Sequence, residues 1–172
     1  MDTAPNGWTE IVNYYTLPER DETGHVTDAW KEKNLGLLTS PFPFYLSWGD
    51  HKPVSMIYCH KKIIEPLQAV LEDIRDYASK DPTIGLDLGV WFGQSYGGCY
   101  ADRAIRGVAD HLSMHAFGAA LDFRVAMNPL GGEAEPRMRD VIAPIFKKRG
   151  FTWGGDFESR KDPQHFQFAS GY

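Results

Sequence analysis

An acidic side chain stands inside an apolar run: Ala119-Ala120-Leu121 precedes Asp122, and Phe123 follows it. A carboxylate buried without a partner carries a heavy desolvation cost, so a fold that buries this run must bring Asp122 a cation or a hydrogen-bond donor. His115 lies seven residues earlier, with the small residues Ala116, Gly118, Ala119 and Ala120 between the two. Asp162-Pro163-Gln164-His165 supplies a second carboxylate and imidazole near the end of the chain. Pro163 pushes Asp162 toward extended backbone. Two histidines and one carboxylate give a borderline-soft divalent ion three ligands and leave a fourth position for water. A buried His–Asp hydrogen bond would also satisfy Asp122, so the residues alone leave both readings open.

The 172 residues are enough for one core, and their composition is that of a globular domain. Eighteen Lys and Arg against 23 Asp and Glu give a net charge of −5, which argues against a surface built to neutralise nucleic-acid phosphates. No stretch approaches the roughly 18 apolar residues of a membrane span. The first residues lack the basic and apolar regions of an export signal, so cytoplasmic synthesis is expected. Cys59 and Cys99 form no disulfide framework and read as buried thiols.

Residues 1–50 read as an N-terminal arm laid over a domain of residues 51–172, within one domain overall. Ser40-Pro41-Phe42-Pro43-Phe44-Tyr45-Leu46-Ser47-Trp48 reads as an irregular packing segment. Ile63, Ile64, Leu67, Val70, Leu71, Ile74, Tyr77 and Ala78 recur at helical spacing and predict a helix from about Lys61 to Ser79. Leu86, Leu88, Val90 and Phe92 alternate like a strand. A second helix is expected from Pro136 to Arg149, kinked at Pro144 and capped by Gly150; Phe166-Gln167-Phe168 suits a short strand. Separated helices and hairpin-like strands indicate an α+β fold.

The ordered set Ser113-x-His115-x-x-Gly118-x-Ala120-x-Asp122 and Asp162-x-x-His165 resembles the signature of zinc peptidases that cut peptidoglycan stem peptides. These are the D-alanyl-D-alanine carboxypeptidases, the vancomycin-resistance D,D-dipeptidases and the phage L-alanyl-D-glutamate endopeptidases. Gly97 to Gly107 resembles the segment before the first ligand, and Trp153-Gly154-Gly155-Asp156-Phe157 the one before the last. The resemblance spans about residues 84–168. It implies a compact domain with helices packed on a small antiparallel sheet that carries a metal groove. It also implies one Zn2+ per chain, held by His115, Asp122 and His165.

By the same resemblance Asp162 is the general base, and Arg103 steadies the substrate carbonyl, with Arg106 as its competitor. Ser113 is a hydrogen-bonding support. Trp153 reads equally as a cleft residue or a core residue beside a turn, and Asp156 is a second candidate base. His111 reads as solvent-facing. Asp at position 162, where many carboxypeptidases carry Glu, is more like the phage endopeptidases. The implied partner is a peptidoglycan stem peptide, and the implied role is an endopeptidase, as in phage lysis or a virion. A D,D-carboxypeptidase and a non-catalytic, zinc-stabilised wall-binding or protein-binding domain are the alternatives. A monomer is the expectation. A serine-hydrolase reading of Ser113, His115 and Asp122 fails because no Gly-x-Ser-x-Gly elbow is present.

Overall fold

A computed structural model of the chain describes residues 3–81, 91–105 and 111–171. Two short helices, α1 (Trp8–Tyr15) and α2 (Asp28–Asn34), lead into a hairpin of β1 (Leu35–Tyr45) and β2 (Pro53–His60). A 3₁₀ turn, Lys61–Ile63, opens α3 (Ile64–Ala78). After a second 3₁₀ turn, Met114–Phe117, come β3 (Ala120–Asp122), a π-helical segment (Met138–Ile142) and α4 (Ala143–Lys148). The chain ends with β4 (Thr152–Trp153), the 3₁₀ turn Gly154–Asp156 and β5 (His165–Gln167). The second sheet is antiparallel in the order β3-β5-β4, with β5 in the centre. This is an α+β fold in a single small domain.

The apolar face of α3 lies where its spacing puts it, with Leu67, Val70, Leu71 and Ile74 all fully buried. Each such burial contributes about 1.5–3 kcal/mol. Phe146 from α4 stacks on Phe166 from β5 at 4.0 Å, so the core lies directly beneath the second sheet. Arg149, just past α4, meets Asp73 of α3 through two hydrogen bonds of 2.7 and 2.8 Å. Gly150 takes φ +88, with Phe151 N–H donating to the Phe146 carbonyl and Gly150 N–H to that of Lys147, the Schellman arrangement. Pro144 falls in the first turn of α4, where its missing N–H costs least. The expected kink is met by a change of hydrogen-bond register, the π-helical Met138–Ile142, immediately before it.

Two expectations are corrected. Leu35–Tyr45, which includes much of the segment read as irregular, is a strand paired with β2 from Leu35↔His60 to Tyr45↔Pro53. Pro41 and Pro43 fall where the register shifts, between Thr39 and Phe44, because they have no N–H to give the ladder. Ser40 Oγ bridges the gap by donating to the Phe42 carbonyl at 2.6 Å. Trp91 and Phe92 stand in helical and turn backbone, not in a strand; Leu86, Leu88 and Val90 lie outside the described residues. Among the described residues, no helix is long and apolar enough to cross a membrane.

Helix α1 contributes to the same core, while Val26 and Trp30 form a smaller apolar cluster with Leu35. Ile11 and Tyr15 of α1 are fully buried, and the Tyr15 hydroxyl donates to the Phe168 carbonyl at 2.6 Å. His60, at the end of β2, caps the turn into α3 by accepting from Lys62 N–H through Nδ1. Its Nε2 lies 3.1 Å from the Tyr15 carbonyl and donates to it. Burial, outweighing that bond and aided by Lys62 and Lys61, lowers its pKa to about 4. His60 is therefore a neutral clasp between α1, β2 and α3.

Candidate metal centre

Strand register explains how residues far apart in sequence meet. Asp122 on β3 is the Cα partner of His165 on β5, so their side chains emerge side by side. On its other edge Asp122 bridges Gly98: Asp122 N–H donates to the Gly98 carbonyl at 3.1 Å, and Gly97 N–H to the Asp122 carbonyl at 2.8 Å. A Cβ on Gly97 would sit 2.7 Å from the Asp122 Cβ, so this close approach requires glycine. His115 comes from the 3₁₀ turn. Ser113 Oγ caps that turn by accepting from His115 N–H at 3.3 Å, and Gly118 ends it at φ +67.

His115 Nε2 lies 3.3 Å and His165 Nδ1 3.0 Å from the same oxygen, Asp122 Oδ1. One ligand atom from each of the three residues lies within 4.8 Å of the others. The opposite nitrogens are already engaged: His115 Nδ1 lies 2.7 Å from the Cys99 carbonyl, and His165 Nε2 3.0 Å from Gln167 Oε1. A carbonyl only accepts, so His115 carries a proton on Nδ1, and in the neutral imidazole the Nε2 lone pair turns toward Asp122. That Nε2 is buried and has no hydrogen-bond partner among the described residues. A buried acceptor facing a carboxylate oxygen is unfavourable unless a cation lies between them. The donor set therefore fits a divalent metal ion.

The charges agree. Burial alone would raise the Asp122 carboxyl, but the His115 and His165 imidazoles hold it well below the usual carboxylate range. Burial opposes protonation of His165, yet the Asp122 carboxylate raises its pKa.

Asp122 and His165 line a cleft of about 1290 Å³, whose walls also include Trp48, Arg103, Ser113 and Asp162, while His115 is buried. Asp162 is half-buried; burial is the largest influence on its carboxyl and raises its pKa, against the opposing pull of His165 and of the Gln164 amide, which donates to Oδ1 at 3.0 Å. The turn Gly154–Asp156 packs tightly against it: a Cβ on Gly154 would come within 2.4 Å of the Asp162 carbonyl oxygen. Arg103 is half-buried in the cleft wall, and its own carbonyl accepts from Ser113 N–H. Arg106 lies outside the described residues. Asp156 also lines the cleft but is ion-paired to Lys147 at 2.7 Å.

Trp153 is placed in the core. It is 6% exposed, is absent from the cleft wall, and donates its indole N–H to the Pro163 carbonyl at 2.8 Å. It supports the Asp162–His165 turn from beneath. Trp48, which is 52% exposed and lies over Gly98, and Phe157 are aromatic side chains that do line the cleft. His111 belongs to the cleft wall, with its ring 6.1 Å from that of Trp8. Gln167 carried no signal in the sequence beyond its place two residues after His165 on a strand, where alternate side chains share a face.

Residues 106–168 match the model of a family described as D-alanyl-D-alanine carboxypeptidase. No curated protein and no solved structure matches the chain. The matched stretch contains His115, Asp122, Asp162 and His165 and leaves Arg103 outside. Over these residues, which include all three that converge on one another, the chain is similar to D-alanyl-D-alanine carboxypeptidases.

Proposed function

We propose that this protein is a zinc metallopeptidase that hydrolyses an amide bond in peptidoglycan stem peptides. The observation that carries the reading is the buried Nε2 of His115, without a hydrogen-bond partner among the described residues, converging with Asp122 Oδ1 and His165 Nδ1, whose two residues line an open cleft. Zinc held there by His115, Asp122 and His165 would polarise the scissile carbonyl and lower the pKa of a bound water toward about 7.

The remaining work falls to the chain's own groups. Asp162, with its pKa raised by burial, is suited to take the proton of the attacking water and return it to the leaving amine. Arg103 presents a permanent positive charge in the cleft wall for the carbonyl oxygen as negative charge develops on it. Ser113 and Trp153 hold the two turns that carry His115 and Asp162. An aspartate at the base position supports endopeptidase cleavage within the stem. The description of the matched family supports the second reading, removal of a terminal D-alanine.

The test is Asp162→Asn. The variant should keep about one zinc per chain while cleavage of purified peptidoglycan falls about 10²-fold or more. Near-wild-type turnover would remove Asp162 from the mechanism and transfer its role to Asp156 or Glu158, the other carboxylates of this stretch that line the cleft.

A further inference from the structure

An imidazole offers a metal only one of its two nitrogens, and the partner of the other nitrogen selects which. For His115 that partner is a backbone carbonyl, Cys99 C=O, so the selection belongs to the fold. For His165 it is a side chain. Gln167 Nε2 points to the Ala169 carbonyl at 3.4 Å, a group that only accepts, so the amide is oriented with Oε1 toward His165 Nε2 at 3.0 Å. His165 Nε2 then keeps a proton, so that Nδ1, which lies 3.0 Å from Asp122 Oδ1, is the nitrogen that can give up its proton for a metal.

We propose that Gln167 is a positioning residue that fixes His165 with Nδ1 toward the metal. The placement is built in several ways. Gln167 follows His165 by two residues on β5, so both side chains leave the same face of the strand. β5 is the central strand, and Gln167 is paired with Ala120 on one side and Thr152 on the other, so its backbone cannot drift. The residue borders the cleft but is only 4% exposed. Without that acceptor the His165 proton is free to move to Nδ1 and bond Asp122 Oδ1. A metal would then have to displace a hydrogen bond between two of its own ligands.

This inference rests on the metal reading of the site, and its test separates the two. Zinc affinity is measured by competition with a chromophoric chelator for the wild type, Gln167→Leu and Gln167→Glu. Removing the acceptor in Gln167→Leu should weaken zinc binding about 10–100-fold, whereas Gln167→Glu, which keeps an acceptor, should stay within about threefold of wild type or bind more tightly. A purely packing role would make both variants fail alike, and that result overturns the proposal. So does a Leu variant with wild-type affinity.

Should the Leu variant not fold, ¹⁵N NMR of the zinc-loaded wild type decides. The His165 ring proton should sit on Nε2, and a proton on Nδ1 contradicts the inference. Wild-type protein that takes up no zinc overturns the metallopeptidase reading together with this inference. A Leu variant with normal zinc uptake and turnover overturns only the role of Gln167.

Discussion

At the scale of single residues, the site is a matter of lone pairs and charges. Cys99 C=O and Gln167 Oε1 occupy the outer nitrogens of His115 and His165, and Asp122 Oδ1 meets both inner nitrogens within 3.3 Å. Arg103 stands in the cleft wall, three residues before its competitor Arg106. An arginine that meets the carbonyl oxygen only as charge develops acts chiefly on the transition state. Arg103→Ala should therefore lower kcat and kcat/KM together with little change in KM. Arg103→Lys should rescue poorly if the planar fork is used. Kinetics of Arg103→Ala and Arg106→Ala side by side on a defined muropeptide check this, and a kcat collapse confined to Arg106→Ala assigns the role to Arg106. Asp122 stood out in the sequence because a carboxylate in an apolar frame needs a partner, and the family resemblance named His115 and His165 beside it as candidate ligands. Gln167 did not stand out, since its role depends on which nitrogen of a neighbour it faces.

Among the elements, legibility followed the period of the pattern. α3 was readable because eight apolar residues repeat at helical spacing, and the Gly150 cap because a left-handed backbone favours glycine. β1 was not: Pro41 and Pro43 signal a break, and the strand survives them by shifting register and using Ser40 in place of an N–H. His60 ties three elements together as a neutral imidazole. Its pKa in the fold, about 4, lies below the ordinary value of 6.5. The unfolded chain therefore binds the proton more readily, and this contribution is full above about pH 6.5 and lost as pH falls through about 4. The loss amounts to at most about 3 kcal/mol. Urea unfolding across that window should show a shallower acid decline in His60→Gln, alongside lower stability at pH 7. Equal slopes for the two proteins would show that His60 does not titrate as a buried neutral group.

In the whole molecule, the three-stranded sheet is the device that turns sequence order into a site. Its register sets Asp122 opposite His165, the Gly97-Gly98 segment closes on its far edge, and the Phe146–Phe166 stack anchors it on the core. Of the short strands that do this, three residues or fewer, β5 was readable from Phe166-Gln167-Phe168 to within a residue, whereas β3 and β4 carry too little periodicity to be read in advance. The account's central claim is that the cleft beside these residues hydrolyses an amide of the peptidoglycan stem. Mass spectrometry of purified peptidoglycan, before and after incubation with the zinc-loaded protein, tests it most directly. Fragments that together gain the mass of one water, with a new amine and a new carboxyl within or at the end of the stem peptide, are the predicted result. An unchanged digest from protein holding one zinc per chain would contradict it.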